Sequence, residues 1–128
     1  NKINPLPIEL LSFDGKLTTN TVELNWITKT EINNDYFDVQ RSSDGIHFET
    51  IGQIDGKGNY NGESQYTYTD FSPLNGISYY RLKQVDFDET TSYSNIISIS
   101  NNNLPDYQSI SIYPNPAQQG QIITLKAK

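Results

Sequence analysis

The sequence predicts an all-β sandwich, and three observations lead to that prediction. Short segments of roughly five to ten residues alternate apolar and polar side chains, and Asn-, Gly- and Asp-rich turns separate them. No stretch keeps the 3.6-residue apolar period of an amphipathic helix. The chain contains nine Tyr and five Phe together with frequent Thr, Ser and Ile, which favours strands. We therefore expect seven strands arranged in two sheets.

Length and charge restrict the kinds of protein this chain could be. A chain of 128 residues has room for one domain and a short appendage. The formal net charge of −6 argues against nucleic-acid binding, which needs clustered Lys and Arg, and against docking by charge onto an anionic membrane. The absence of cysteine excludes disulfides and thiolate chemistry.

The first two strands have the clearest patterns. Residues 8–13 follow two prolines, and prolines at the start of a strand suit a sheet edge. Residues 21–28 then show the cleanest alternation in the sequence, with Val22, Leu24 and Trp26 on one face. Trp26 is the only Trp, and we expect it to be a core anchor.

Five further strands complete the predicted domain. We place them at residues 36–42, 48–54 and 65–70, through Tyr80 and Leu82 to Val85, and at 93–100. Turn-forming residues lie between them: 33–35 is expected to break the chain, 43–45 to make a tight hairpin, and 86–89 to turn it. The Gly-rich segment, residues 55–63, is predicted to be a mobile loop.

One turn and the strand that follows it have the pattern of a tyrosine corner. Residues 73–83 place Leu74 six positions ahead of Tyr80, which lies near the start of a strand. In such a corner the ring fills a core position and the hydroxyl bonds to backbone upstream. We therefore predict that Leu74, Tyr80 and Trp26 organise the fold.

The sequence changes character after the last predicted strand. Residues 102–109 form a polar linker of the kind found at domain boundaries. Residues 110–128 carry two short apolar alternations around Tyr113 and the prolines that follow it. Some twenty residues are too few to bury a core, so this segment needs further structure or a partner.

Candidate catalytic groups are scattered through the domain. His47 is the only histidine, so no Ser–His–Asp triad or histidine-rich metal site is indicated, and we expect it at the surface. Asp35, Asp38, Asp44 and Glu49 would serve a glycosidase only if two of them faced each other at about 5–10 Å. Solvated surface carboxylates are the default interpretation, and no catalytic residue is predicted.

No metal site or cofactor is predicted either. The Gly-rich segment fails the EF-hand pattern because Lys57 takes the third position and Tyr60 the sixth. A second acidic cluster at Asp86, Asp88 and Glu89 offers the oxygen ligands that calcium prefers. Ordinary turn chemistry is the favoured explanation, with calcium as the alternative.

Several tyrosines suggest a possible binding surface. Tyr60, Tyr79, Tyr93 and Tyr107 could line a strip for carbohydrate, because aromatic faces combine apolar area with a polar edge. Packing across strand pairs explains surface tyrosines equally well.

Four motifs follow one another along the chain: Leu6–Phe13, Leu24–Trp26, Glu31–Phe37 and Asn75–Asp86. Together they resemble a fibronectin type III-like module found near the C-terminus of secreted Bacteroidota proteins. The resemblance implies an immunoglobulin-like sandwich over residues 1–101.

The end of the sequence resembles a second family. Ile110–Ala117, followed by Ile122 to Leu125, is similar to the opening of the type A C-terminal sorting domain of the type IX secretion system. The resemblance implies that residues 110–128 are the first strands of a second small β-sandwich. The sequence stops at Lys128, before that family's later strands, so the sorting domain is expected to be incomplete.

These resemblances imply a role without a reaction. The chain would be a noncatalytic spacer and sorting-signal region of a protein exported across the outer membrane, and hence secreted or attached to the cell surface. Its transient partners would be the outer-membrane translocon and a barrel-shaped shuttle, with surface lipopolysaccharide a further partner after processing. Recognition is expected at Tyr113, Pro114, Asn115 and Pro116. The alternative is an adhesion or carbohydrate-binding module.

Overall fold

The fold is an antiparallel β-sheet that curls around a single core. A computed structural model describes residues 8–102, with side chains from Leu10 onward. That part of the chain contains no helix, and therefore none that is long and apolar enough to cross a membrane. The all-β prediction is confirmed. The six strands are β1 (Ile8–Thr18), β2 (Thr21–Ser42), β3 (Glu49–Asp70), β4 (Gly76–Asp86), β5 (Thr91–Tyr93) and β6 (Ile97–Asn101).

Residues 8–102 contain six strands where seven were predicted, because two pairs of predicted strands merge into two very long strands and the last predicted strand divides in two. β2 spans 22 residues and includes both segments that the sequence indicated as separate strands. The predicted break at 33–35 is a bulge, because the β2–β3 register shifts between Glu31 and Asn34 and again between Asn34 and Tyr36. Asn33 adopts a φ of 56°, a left-handed conformation that asparagine tolerates well. The polar residues therefore bend the strand and do not end it.

The prediction of a mobile loop at residues 55–63 was wrong. The Gly-rich segment lies inside β3, which spans 22 residues, and pairs with the bend of β2 through Tyr36↔Asp55, Asn34↔Gly58 and Glu31↔Tyr60. Gly58 has a φ of +68°, so a glycine meets the backbone requirement of the bend. The glycines that suggested a mobile loop instead allow the backbone conformations with which β3 follows the bend of β2.

The bend brings the two halves of the sheet face to face. The first half of β2 pairs with β1 and the end of β3, while its second half pairs with β4 and the start of β3. Trp26 and Phe37, from opposite sides of the bend, pack edge to face with ring centroids 5.5 Å apart. The buried core comprises Phe13, Val22, Leu24, Trp26, Phe37, Val39, Tyr80 and Leu82.

β4 lies between β2 on one side and the two short strands β5 and β6 on the other. β5 pairs near the end of β4 and β6 pairs near its start. The predicted seventh strand is interrupted because the Ser94 hydroxyl accepts the Leu82 amide at 2.8 Å, and the Ser94 amide donates to the Leu82 carbonyl at 2.9 Å. One serine thus bridges the gap between the two short strands.

The module has two distinct ends. At the bend end, Ile8 pairs with Glu31, and Asn34 pairs with Asp86. At the opposite, corner end, Gly76 pairs with Asn101. The 11 residues of β4 run between the two, which corresponds to roughly 35 Å at about 3.3 Å per residue. β1 therefore starts at one end of the module, and β6 finishes at the other.

Candidate functional site

The corner end is organised by a buried carboxylate. Asp70 ends β3, and Tyr80 stands opposite Arg41 in the β2–β4 ladder. The Tyr80 hydroxyl donates to Asp70 Oδ2 at 2.6 Å. Arg41 Nη1 donates to both oxygens of that carboxylate, at 3.2 and 3.0 Å, and the Ser72 amide donates to Oδ1 at 3.0 Å. Asp70 is only 5% exposed, so the cluster belongs to the interior.

The partner of the corner tyrosine differs from the prediction. The sequence pattern predicted a backbone acceptor upstream, but the acceptor is the side chain of Asp70. The physical reason is that an ionised carboxylate accepts several bonds at once, whereas a carbonyl accepts fewer and carries no charge. Asp70 takes the hydroxyl and also the Ser72 amide, so it links Tyr80 to the loop indirectly.

Burial and charge shift the ionisation of this cluster. Burial, together with the hydrogen bond and negative charge of Asp70, raises the pKa of Tyr80 well above its ordinary value. Burial lowers the pKa of Arg41, but its bonds to Asp70 and Glu49 outweigh that effect and raise the pKa on balance. At neutral pH the tyrosine is therefore neutral and the arginine charged, which suits a structural ion pair.

Leu74 and Trp26 hold the positions expected of structural residues. Leu74 is half-buried. Its backbone carbonyl accepts a hydrogen bond from the Asn101 side-chain amide at 3.3 Å, and its backbone amide donates to the Ser78 hydroxyl at 3.0 Å. Trp26 is fully buried and stacks on Tyr66 with centroids 5.5 Å apart. These contacts tie β6 and the corner loop together and fill the core, as predicted for a core anchor.

A second buried carboxylate holds the bend. Glu31 is 1% exposed and accepts bonds from the hydroxyls of Thr28 and Tyr66, the Asn34 side-chain amide and the Lys57 backbone amide. Thr28 and Asn34 lie on β2, whereas Lys57 and Tyr66 lie on β3. The carboxylate therefore joins the two long strands where both of them bend.

The network continues from Glu31 towards β4. The side-chain amide nitrogen of Gln84 donates to Asn34 Oδ1 at 2.8 Å and to Asp86 Oδ1 at 2.7 Å. The Ser92 hydroxyl donates to Gln84 Oε1 at 3.0 Å. Burial raises the pKa of Glu31, but its four hydrogen bonds outweigh burial and lower it overall. Glu31 is thus a charged, satisfied structural group, and no polar pattern in the sequence had indicated it.

His47 is exposed, as predicted, and belongs to a loop clamp. Its Nδ1 lies 2.7 Å from Asp44 Oδ2, and Asp44 Oδ1 accepts the backbone amides of Ile46 and His47, each at 2.8 Å. The histidine bond and these amides lower the pKa of Asp44. Nearby lies an open depression of about 300 Å³, lined by Arg41, Ser42, Ser43, His47, Phe48, Glu49 and Leu74.

The acidic groups weighed for catalysis or calcium lie in separate surroundings. Asp38 faces Lys83 across the β2–β4 pair, and Glu49 bonds Arg41 at 3.3 Å. The Asp86 carboxylate accepts a hydrogen bond from the Gln84 side chain, and the Asp88 carboxylate accepts one from the Thr90 backbone amide. Residues 8–102 hold no group of three or more acidic or histidine side chains arranged to bind a metal ion.

A cation–aromatic cluster occupies the outer side of β4. Arg81 Cζ lies 4.1 Å from the ring centroid of Phe48 and 4.1 Å from that of Tyr93. Arg81 Nε donates to Gln40 Oε1 at 2.8 Å, directly across the β2–β4 pair. We call these four residues the arginine clamp. Phe48 and Tyr93 are 45 positions apart in the sequence, so only the strand pairing brings them to one arginine.

Of the four tyrosines suggested as a carbohydrate strip, the three that lie in the described residues do not form one continuous strip. Tyr93 belongs to the arginine clamp, and Tyr79 lies two positions before Arg81 on β4 with its ring against Gly45. Tyr60 lies at the bend end, where Lys57 Nζ sits 4.6 Å from its ring centroid. These three tyrosines are therefore divided between the bend end and the outer side of β4.

The predicted recognition residues lie outside the described part of the chain. These are Tyr113, Pro114, Asn115 and Pro116; the whole of residues 110–128 and Tyr107 also lie outside it.

Comparisons with known proteins support the fold. No protein-family profile matches the chain, and a search of curated proteins gives no significant match. Pectate lyase PelI from Erwinia chrysanthemi, solved with tetragalacturonic acid, superposes on 70% of this chain with a TM-score of 0.54 and 18% identity. A β-1,2-glucanase from Parabacteroides distasonis superposes on 79% with a TM-score of 0.56 and 24% identity. The chain spans only 28% and 14% of those two proteins, and at these identities the likeness concerns the fold alone.

Proposed function

We propose that residues 8–102 are a noncatalytic spacer module of an exported protein, and that residues 110–128 begin a type IX sorting signal. The observation that carries the spacer role is the placement of the two ends. β1 starts at the bend end, paired with Glu31, and β6 finishes at the corner end, paired with Gly76. A module whose chain enters and leaves at opposite ends separates its neighbours by its own length, roughly 35 Å along β4.

The hydrogen bonds that the buried charged groups make within the fold favour a structural role. Asp70 and Glu31, the most deeply buried carboxylates of the described chain, each receive several internal hydrogen bonds. Arg41, beside the open depression, already bonds Asp70, Glu49 and the Ser72 carbonyl. A catalytic acid or base must be able to exchange a proton with substrate, and groups held in this way stabilise the fold instead.

The comparisons agree with a module of a longer protein. The two superposed regions are small parts of much larger chains, 28% of the pectate lyase and 14% of the glucanase. Both of those proteins are carbohydrate-active enzymes by name, and a β-module of this fold accompanies other regions in each. The type IX assignment itself rests on the sequence resemblance of residues 110–128.

An export assay tests the proposal. A fluorescent reporter is fused to residues 8–102 alone, to residues 103 through the natural carboxyl terminus, or to both together. Each fusion carries a periplasmic signal peptide and is expressed in a Bacteroidota host with an active type IX system and in a matched strain that lacks the translocon. We expect the two fusions that contain the sorting segment to reach the medium only in the first host, and the fusion with residues 8–102 alone to stay in the periplasm.

A matched pair of variants locates the signal. Tyr113→Ala should reduce export, whereas Tyr107→Ala, in the predicted linker, should leave it unchanged. Export of residues 8–102 alone would contradict the spacer role. Retention of both fusions that carry the sorting segment would contradict the sorting role.

A further inference from the structure

The arginine clamp presents a charged group whose orientation is set in advance. Phe48 and Tyr93 both lie 4.1 Å from Arg81 Cζ, yet they make no ring contact with each other, so the guanidinium lies between them. The bond from Nε to Gln40 Oε1 sets the rotation of the guanidinium within that gap. Gln40 is itself held, because its amide donates to the Thr50 hydroxyl at 3.2 Å.

The outer edge of the guanidinium is free. Within residues 10–102, the Nη atoms of Arg81 have no hydrogen-bond partner, and neither is among the buried unsatisfied polar atoms. Each of them therefore keeps at least some accessible surface, although Arg81 as a whole is half-buried. A guanidinium whose two Nη groups face solvent presents the planar fork that binds a carboxylate through two parallel hydrogen bonds.

The charges around the clamp leave Arg81 uncompensated. No carboxylate of the described chain lies within 4.0 Å of its nitrogens, although the protein carries 15 acidic and 9 basic side chains. The nearest strand-paired acid, Asp38, stands opposite Lys83, which offsets its charge. In a chain with a net charge of −6, an unpaired and rigidly held arginine is a local site for a negative group.

We propose that the arginine clamp binds the carboxylate of an acidic saccharide, such as a uronic acid residue within a polysaccharide. The carboxylate accepts two hydrogen bonds from the Nη edge of Arg81, and the sugar ring packs its C–H groups against Tyr93. Tyr93 is 51% exposed, so its ring offers a free surface beside the fork. This binding site is independent of the proposed role as a spacer.

Two features favour a saccharide over an inorganic anion. The exposed ring of Tyr93 offers an apolar face for the C–H groups of a sugar ring, which phosphate does not have. The fork is planar and matches a carboxylate. Arg81 itself lies on β4, an inner strand that pairs with β2 on one side and with β5 and β6 on the other, and the tetraglutamate peptide of the test below separates a saccharide from an acidic peptide.

The test is a titration of the 128-residue chain with trigalacturonate, followed by calorimetry and by two-dimensional ¹H–¹⁵N spectra. The fully methyl-esterified trisaccharide is the matched control, because it keeps every ring and replaces each carboxylate by a neutral methyl ester. We expect at least tenfold weaker binding of the ester, and shifts of the Arg81 Nε and Tyr93 amide signals with the acid alone. Inorganic phosphate and a tetraglutamate peptide serve as the competing anions, and each should bind at least tenfold more weakly than trigalacturonate.

Variants separate the fork from simple charge. Arg81→Lys keeps the charge but loses the planar donor pair, and we expect at least tenfold weaker binding of trigalacturonate. Lys29→Gln removes a positive charge from an exposed site on β2 and should leave the affinity unchanged. Thermal melts of both variants establish that they are folded, and the ester control needs no variant at all.

Four results would overturn the proposal. They are equal binding of the acid and its ester, absence of binding at millimolar trigalacturonate, unchanged affinity in Arg81→Lys, and binding of phosphate or tetraglutamate as tight as that of trigalacturonate. The last result would assign the clamp to phosphate or to an acidic protein segment instead of a saccharide.

Discussion

Replacing Tyr80 by Phe removes one oxygen from the best-defined polar cluster of the module. Tyr80 is fully buried, and its hydroxyl donates to Asp70 Oδ2 at 2.6 Å. The phenyl ring keeps its place in the core, so the change removes a hydrogen bond with little change in packing. Asp70 retains Arg41 Nη1 at 3.0 Å and the Ser72 amide at 3.0 Å, so its charge stays compensated.

The expected cost follows from the kind of bond lost. A hydrogen bond to a charged group contributes about 1.5–3 kcal/mol to stability. Because Asp70 keeps its other partners, we expect a value towards the lower part of that range, about 2 kcal/mol. Tyr79→Phe is the matched control. Tyr79 is a half-buried residue whose hydroxyl has no hydrogen-bond partner within residues 8–102, so the same substitution one residue away should change stability by less than about 0.5 kcal/mol.

Urea titrations followed by Trp26 fluorescence measure both variants, since Trp26 is the only Trp and is fully buried. The midpoint should fall for Tyr80→Phe with an unchanged slope, because the surface exposed on unfolding is the same. Equal midpoints for the two variants would show that the bond to Asp70 adds nothing, and would refute the reasoning.

The same hydroxyl predicts a dependence of stability on alkaline pH. The pKa of Tyr80 is raised in the folded protein by burial and by Asp70. Above pH of about 10 the unfolded chain loses this proton while the folded chain retains it, so stability should fall as pH rises further. Tyr80→Phe should show a shallower alkaline decline than the natural protein, and an identical slope would contradict the assignment.

The remaining predictions concern the bend and the corner loop. Glu31→Gln should cost about 1–3 kcal/mol for each of its donors left without an acceptor, measured by urea titration, and a cost below 1 kcal/mol would contradict the network. Because the hydrogen bonds lower the pKa of Glu31 in the fold, its contribution is present above about pH 4.5 and is lost as pH falls, so this variant should show a flatter acid melting profile. Gly56→Ala would place Cβ 2.6 Å from Asn34 Cγ and 2.8 Å from its backbone oxygen, so we expect a lowered melting temperature and about 1–3 kcal/mol of lost stability, and an unchanged melt would refute the collision. Gly76→Ala meets nothing within 4 Å but has a φ of +86°, so its cost should be about 1–2 kcal/mol from backbone strain alone, and a neutral result would exclude that strain.

Much of the strand pattern was readable from the sequence. Alternation identified the inner face of β2, and Val22, Leu24 and Trp26 are all fully buried. The strand boundaries were less accurate, because the sequence treated polar and glycine-rich runs as breaks. In the fold, Asn33 and Gly58 supply the positive φ angles of a continuous bend. Asn- and Gly-rich composition indicates that the backbone departs from a straight strand at these positions, but it does not distinguish a bend from a loop.

The polar sites were hardest to predict because their partners are distant. Asp70 and Arg41 are 29 residues apart, and Gln84 and Asn34 are 50 residues apart. A single Asp or Gln in a strand reads as a surface residue until its neighbours are known. In the fold, two such carboxylates, those of Glu31 and Asp70, are buried at the centres of hydrogen-bond networks.

By itself, the sequence determined the all-β class, the core anchor Trp26 and the importance of Tyr80, because side-chain alternation and ring burial are local consequences of strand geometry. Only the tertiary structure decided that Tyr80 bonds Asp70, that Glu31 holds the bend, and that Arg81 lies between Phe48 and Tyr93. These pairings depend on the register of strands far apart in the chain. A shift of one residue along a strand would turn each of these side chains to the opposite face.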